Sequence, residues 1–364
     1  VPADVVIRSG LTYERSALVK ALDEMVCAAG GWPSCIRPGA RVLLKVNMLA
    51  AKSPDRGITT HPEVAAAVAV LLKRLGCSVA LGDSPGGAVR GIERYWANCG
   101  YDALATDPGM ELVNFEAAGS VEKTAGGRTY HIAKPMYEYD AVLNLCKFKT
   151  HMYCRLTNAV KNSFGAVPGL GKAVIHSHAI RPRDLAVHIA GIYSLVRFDL
   201  TIMDAIVAMD GKGPGTDGRR RSDGVMAVAR DGVELDMVMS ELVGLRAEEV
   251  DTTREARRLG LGRDRHLVSV DGTARFDDFR LPPTWMYGLV PPFLGGLVRG
   301  FLKTVPRSGP RCTACGLCMR SCPVGAIAIR GGRAVMDRRK CIVCLCCHEL
   351  CPENAIEVPN PLKR

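Results

Sequence analysis

Nothing constrains the fold of this 364-residue chain as tightly as a cysteine pattern that occurs twice near its C-terminus. CTACGLCMRSCP sets Cys312, Cys315, Cys318 and Cys322 in C-x2-C-x2-C-x3-C-P spacing, and CIVCLCCHELCP repeats it with Cys341, Cys344, Cys347 and Cys351, offset by 29 residues. Both copies continue into a short strand-like step, Ala326-Ile327 and Ala355-Ile356. Nine of the fifteen cysteines lie between Cys312 and Cys351. A secreted disulfide framework would spread cysteines through a short chain. Clustering in C-x-x-C units points instead to metal ligation, and to a reducing cytoplasm. The remaining six (Cys27, Cys35, Cys77, Cys99, Cys146, Cys154) read as small buried hydrophobes.

The spacing has a chemical reason. Three cysteines on one tight loop offer thiolates to three corners of an iron–sulfur cubane, and the fourth, past the next turn, reaches the other cluster. On that logic Cys312, Cys315, Cys318 and Cys351 hold one 4Fe–4S cluster, and Cys341, Cys344, Cys347 and Cys322 the other. Structural zinc is the competing assignment; a register-perfect repeat with Pro after each fourth cysteine argues against it. Cys346 is left over, a passive neighbour of Cys347 or an exchange ligand on oxidation. Residues 311–364 resemble the bacterial two-cluster ferredoxins, which implies a small α+β domain and a one-electron relay. Arg311, Arg338, Arg339 and Lys340 flank the cysteines, as a docking face for an acidic partner or as solvated surface.

The preceding residues alternate between strand-like and helix-like stretches. Strands are expected at Asp4–Ile7, Arg41–Val46, Ser78–Leu81, Ala141–Phe148, Leu200–Met203 and Val225–Ala229. Helices are expected at Glu14–Ala29, Pro62–Leu75, Arg90–Asn98, Leu156–Phe164, Pro182–Val196 and Val233–Val243. This order predicts an α/β fold, a mainly parallel sheet with helices on both faces, with one antiparallel hairpin at Val121–Ile132. Three regions follow: an α/β substrate- or cofactor-binding domain over 1–280, a Pro-rich hydrophobic connector over 281–310, and the cysteine domain over 311–364. The longest apolar run, WMYGLVPPFLGGLV from Trp285, is too short and too Pro-interrupted to span a bilayer and reads as a docking segment. No secretory signal is visible. The chain begins at Val1 rather than Met, which leaves room for residues upstream.

The formal charge is +11, and it stays basic after allowance for two anionic cluster sites. That favours an anionic substrate or an acidic electron-transfer partner. Nucleic acid is disfavoured, because the basic residues are dispersed and no binding motif appears. Arg219-Arg220-Arg221 reads as a solvated loop.

In open α/β sheets ligands sit outside the carboxyl ends of the strands, and polar residues gather there. They are Lys45 and Asn47, Asp83 in GDSPGG, Lys147, Lys149 and His151 in KFKTH, and Asp204 and Asp210. LTNAVKNSFG adds Lys161 and Asn162; GLGKAVIHSH adds Lys172, His176 and His178. Any one lysine is equally explained by a solvated head on a packed stem, but together they suit an anion-binding cleft. Lys45, Asn47, Lys147, Lys149, Lys161, Asn162 and Lys172 are the candidate anion ligands. His61, His151 and His176 are candidate proton donors. Asp83, Asp204 and Asp210 would orient these groups or bind a cation. A metal at His151, His176 and His178, or a flavin, would add a further cofactor. There is no G-x-G-x-x-G fingerprint, and AVPGLGKA departs from the P-loop at Ala166 and Ala173.

The ordered set KVN (Lys45–Asn47), TTHPEV (Thr59–Val64), GDSPGG, KFKTH with LTNAVKNSFG, DAIVAMDGKGP (Asp204–Pro214) and ARDGVELDMV (Ala229–Val238) resembles the domain of unknown function 362 family. Gly232 stands where that family usually has Pro. Members often carry a C-terminal two-cluster ferredoxin module, as here. The chain is also distantly similar to lactate racemase-like proteins, which bind an organometallic nickel cofactor through His and Lys groups. The reading is an iron–sulfur oxidoreductase passing low-potential electrons from a donor protein to an anionic substrate or cofactor. The alternatives are a non-enzymatic electron carrier or adaptor for a partner redox protein, and a metallocofactor-assembly protein.

Overall fold

The computed structural model describes residues 2–86, 91–179, 181–214, 218–264, 266–272, 274, 276–282 and 305–359. In chain order the large domain contains β1 (Val5–Arg8), α1 (Arg15–Ala28), β2 (Arg41–Lys45), α2 (Pro62–Arg74), β3 (Ser78–Asp83), α3 (Glu93–Cys99), β4 (Glu111–Asn114), β5 (Ser120–Ala125), β6 (Arg128–Ala133), α4 (Pro135–Glu138), β7 (Ala141–His151), β8 (Arg155–Thr157), α5 (Ala159–Asn162), α6 (Gly171–His178), α7 (Pro182–Leu195), β9 (Leu200–Gly211), β10 (Gly218–Ala229), α8 (Gly232–Glu241), α9 (Asp251–Arg258) and β11 (Val268–Asp271). The C-terminal module follows with β12 (Arg307–Ser308), α10 (Leu317–Arg320), β13 (Ile327–Arg330), β14 (Arg333–Met336), α11 (Cys346–Leu350) and β15 (Ile356–Glu357).

One sheet organises the large domain, in the order β11-β1-β10-β9-β7-β2-β3-β4, with β8 paired to β7. The β1–β11, β2–β3, β2–β7, β3–β4 and β7–β9 pairs are parallel, so the sheet is mainly parallel as expected. Both faces are covered. Val42 and Leu44 of β2 pack with Leu18, Leu22, Val64 and Val68 of α1 and α2. Leu43 packs on the opposite face with Leu185 and Ile189 of α7. Such two-sided burial explains why the strands read as apolar runs rather than alternating ones. Pro62 starts α2, and the His61 side chain caps it by accepting from Glu63 N.

Several sequence expectations need correction. Leu156–Phe164 is not one helix: Arg155–Thr157 is a strand and Ala159–Asn162 a single short helix followed by a 3-10 turn. Asp236 fixes that break by accepting from Ala159 N at 2.7 Å and Val160 N at 2.9 Å. Arg219-Arg220-Arg221 is not a solvated loop. It lies in β10, paired antiparallel to β9, and Arg219 and Arg221 bind the buried carboxylate of Asp210. The hairpin expected at Val121–Ile132 is present as β5–β6. The apolar run from Trp285 and most of the expected connector lie outside the described residues.

β2, β3, β7 and β9 run in the same direction. Lys45, Asp83 and His151 end β2, β3 and β7, whereas Lys147 and Asp204, paired in register, lie within β7 and β9, because β9 runs on past the expected end at Met203 to Gly211. β7 is buried along all of Ala141–His151, which carries three cationic or imidazole side chains into the interior.

Candidate functional site

The cysteine module is built by repetition of backbone as well as of sequence. Positive φ recurs in step with the cysteines: 56° at Ala314 and 58° at Val343, 73° at Gly316 and 63° at Leu345, 58° at Gly325 and 50° at Asn354. A left-handed Val or Leu is strained; here the strain curls each loop so that its thiols face inward. Cys312, Cys315, Cys318 and Cys351 line one recess, and Cys322, Cys341, Cys344 and Cys347 line another, with Cys346 beside them. These are the two sets that the repeat predicts, each taking its fourth cysteine from the other copy. Among the described residues no three His, Cys, Asp or Glu side chains converge on a point that would hold one ion. Four thiols lining each recess suit the corners of a cubane. Backbone N–H groups also point at sulfur: Ala326 N to Cys322 Sγ and Ala355 N to Cys351 Sγ, both at 3.2 Å, and Val343 N to Cys341 Sγ at 3.4 Å. When bound, the clusters supply one-electron transfer, with potentials tuned by such hydrogen bonds.

The single lysine-rich cleft expected from the sequence resolves into linked groups. Lys45 and Asp83 form a buried pair at 2.7 Å, with Asp83 also accepting from Met48 N at 2.6 Å. A Cβ at Gly165 would collide with both partners, so this loop position requires glycine. Lys147 and Asp204 form a second pair at 2.7 Å with no exposure on either side chain. Tyr13 completes it, donating to Asp204 at 2.9 Å and accepting from Lys147 at 3.0 Å. Tyr13 stacks on His61 at 3.5 Å between ring centroids. Burial, opposed by Asp204, holds His61 down at about 4.

Lys149 has no carboxylate partner among the described residues. Its Nζ donates to Asn47 Oδ1 at 2.7 Å and to the Ile58 carbonyl. Asn47 donates to Asn162 at 2.9 Å, and Asn162 donates to Asn144 at 2.8 Å. Burial and then Lys161 push Lys149 well below the usual lysine range. Lys172 donates to the Val167 carbonyl at 2.6 Å and to Ser84 Oγ, beside Glu116. Burial lowers Lys172 to about 8.

His151 ends β7. Its Nδ1 accepts from Tyr153 N and Cys154 N, both at 3.1 Å, so the ring proton sits on Nε2. That atom lies 3.1 Å from Oε1 of Glu349, a residue of the cysteine module placed between Cys347 and Cys351. Burial, then Lys161, lower His151 to about 4, so the ring is neutral and donates to the carboxylate. Burial raises Glu349, but His151, Lys161 and His176 outweigh it and hold the carboxyl at about 2. Two further contacts seat the module: Lys52 Nζ donates to Asn354 Oδ1, and Leu350 packs so close to Gly86 that a Cβ there would stand 2.8 Å away.

The structure thus gathers Lys149, His151, Lys161 and His176 around Glu349. Lys147, Asp204 and His61 form a neighbouring group around Tyr13. Asp210 stands apart, held by Arg219 and Arg221, and His178 is exposed at the end of α6. Sequence reasoning missed Tyr13 and Glu349. Tyr13 lies in no motif, and Glu349 sits inside the second cysteine motif at a position the ligand spacing does not use; both reach their partners across the fold.

An α/β domain closed by paired cysteine loops of this kind defines an iron–sulfur protein of the electron-transfer class. Residues 305–352 match the 4Fe-4S dicluster domain, and residues 42–241 match the domain of unknown function DUF362. The chain belongs to the DUF362 family. It is 34% identical over 255 residues to the thylakoid-associated protein sll1697 of Synechocystis sp. (strain ATCC 27184 / PCC 6803 / Kazusa), covering 69% of this chain and 77% of that protein. A 47-residue stretch, 13% of this chain and 18% of the other, is 40% identical to a component of the ion-translocating oxidoreductase complex of Methanosarcina acetivorans. Among solved structures, the lactate racemase apoprotein from Thermoanaerobacterium thermosaccharolyticum matches with a TM-score of 0.37 and 13% identity, over 56% of this chain and 51% of that one. No helix among the described residues is long and apolar enough to cross a membrane.

Proposed function

We propose that this chain is a reductase that holds two 4Fe–4S clusters and delivers low-potential electrons, received from a donor protein, to an anionic substrate or cofactor where the two domains meet. The observation that carries this reading is the 3.1 Å contact between His151 and Glu349. It seats the helix bearing Cys346 and Cys347 directly on the lysine–histidine cluster, so the electron source adjoins the groups suited to bind an anion and donate protons. In this reading Lys161 supplies the field that attracts the anion, Lys149 and the neutral rings of His151 and His176 donate hydrogen bonds to it, and the Lys147–Asp204–Tyr13 group positions His61. The pairing Lys45–Asp83 holds the ends of β2 and β3 together beside the site. The compartment is a reducing one, in keeping with fifteen cysteines and no disulfide pattern.

A carrier that docks on a partner redox protein, with no substrate of its own, is the second reading. It is favoured by the internal pairing of Lys45 and Lys147, which leaves neither head free.

The test begins with anaerobically purified holoprotein and an inventory of iron, sulfide, other metals and any organic molecule released on denaturation. About eight iron atoms are expected from two cubanes. A flavin or a further metal would add a redox centre in the large domain. Zinc in place of iron would sink the redox reading. Dithionite-reduced protein is then mixed with small organic acids and its reoxidation followed by visible absorbance. The double variant His151→Ala/Lys161→Ala should keep its iron and its reducibility and lose reoxidation by the acid. Tight binding to a second redox protein without any turnover would favour the carrier.

A further inference from the structure

Glu349 is an unusual contribution for a cluster-binding loop to make. It belongs to the cysteine module, yet its carboxylate is surrounded by groups of the other domain. His151 donates to it from the end of β7 at 3.1 Å. Lys161, on α5, adds electrostatic attraction, and the ring of His176, on α6, is close enough to act on the same carboxyl. Only 12% of the Glu349 side chain is exposed, and 3% of His151.

The surrounding groups are not consumed by this contact. Among the described residues Lys161 has no hydrogen-bond or ion-pair partner, although its charge acts on Glu349, His151 and Lys149. His176 Nδ1 is buried without a hydrogen-bond partner among the described residues. A buried polar atom left unpaired in this way is costly, so a ligand that pairs it gains by doing so. A neutral imidazole donor, a lysine head unpaired among the described residues and an unsatisfied imidazole around one carboxylate make a receptor with more donors than this occupant uses.

We propose that the His151–Lys161–His176 pocket is a binding site for the carboxylate of a small organic acid, and that Glu349 fills it as a built-in stand-in when the cysteine module is docked. The proposal rests on the reductase reading above and narrows its anionic substrate to a carboxylate. It makes the docked arrangement a self-occupied one. The organic acid enters only when Glu349 withdraws, and Glu349 returns when the acid leaves.

Truncation of Glu349 to Ala removes a CH2–COO⁻ unit, and acetate replaces those atoms almost one for one. The experiment compares the iron-loaded full-length wild type with the iron-loaded Glu349→Ala variant in acetate, acetamide, and sodium chloride at matched ionic strength. Thermal unfolding is the readout. Acetate above its dissociation constant should raise the melting midpoint of Glu349→Ala by about 2–4 °C, saturably. It should leave the wild type unmoved, and acetamide and chloride should do nothing to either. Addition of His151→Ala should abolish the rescue. Equal effects of acetate and acetamide, an equal effect on wild type, or no effect at all would overturn the proposal. If Glu349→Ala fails to retain iron, Glu349→Gln decides by the same titration, since acetate should displace a neutral amide and stabilise that variant too. Iron content and dithionite reduction, read on the same samples, report separately on the redox reading, so either can fail without the other.

Discussion

The cysteine loops and the lysine–histidine site solve the problem of holding polar groups in opposite ways. In the cysteine module the reactive groups face two recesses and depend on a bound group to satisfy them. Its buried apolar core is small, formed by Cys318, Ile327, Ala334, Cys351, Ala355 and Ile356. In the large domain the charges satisfy one another inside an extensive core, through pairs such as Lys147–Asp204. One region is stapled from within by what it binds; the other is stable on its own packing and places its charges afterwards. Local chain geometry suffices for the first, and only tertiary structure makes the second.

Removing a ligand from the first region should have the largest effect. Cys318→Ala should lose at least half of the bound iron and melt the C-terminal module, because below about 70 residues a core seldom stands without a staple. Iron and sulfide analysis with limited proteolysis would show it, the large domain surviving as a resistant fragment. A fully loaded Cys318→Ala protein would break the contrast.

Next in size is the Lys147–Asp204 pair. Asp204→Ala leaves a buried ammonium unpaired and should cost about 3–5 kcal/mol of large-domain stability in a urea titration. The double variant Lys147→Met/Asp204→Leu, which removes both charges, should recover most of that loss. Recovery would show that the pair is internal support rather than a source of net stability.

The pH dependence should be smaller. His151 sits near 4 in the folded chain and near 6.5 when unfolded. Between those values the unfolded chain binds the proton that the folded chain refuses. Stability is therefore full above pH 6.5 and falls as pH drops toward 4, by about 1.4 kcal/mol per pH unit for one such group. His151→Gln should flatten the slope by that amount. An unchanged slope would assign the acid sensitivity to other groups.

Lys161→Ala should matter least to stability, within about 1 kcal/mol, since the residue is partly exposed and makes no close pair among the described residues. It should nonetheless move the His151 titration upward in an NMR pH series, because Lys161 is the largest charge opposing protonation there.

How much of this could be read from the chain follows the same division. The grouping of the cysteines was legible because three of each four lie within a few residues of one another, and the 29-residue repeat points to the fourth in the other copy. The parallel sheet was legible because β2, β3 and β7 are runs of β-branched and aliphatic residues bounded by polar ends. β10 was legible only over Val225–Ala229; its first half was not, because Arg219 and Arg221 look solvated until Asp210 and Asp278 are brought opposite them. Tyr13 reaches Asp204 across 191 residues and Glu349 reaches His151 from another domain, so no local pattern announces either. Lys45 and Lys147 were recognised as special by position. Their carboxylate partners, Asp83 and Asp204, were recognised too, but not as pairs.

The exchange of the fourth cysteine between the two copies has a consequence for assembly. Each half of the module completes the other's cavity, with Cys351 closing the first and Cys322 the second. In effect the module is a symmetric dimer whose two halves share one chain. Each copy carries four cysteines at the ligand spacing but turns only three of them to its own site, so loading should be cooperative: the first cluster to form would pin both halves and pre-assemble the second site. A nick in the turn at Gly331-Gly332 should therefore leave the loaded module intact, while either half expressed alone should hold no stable cluster.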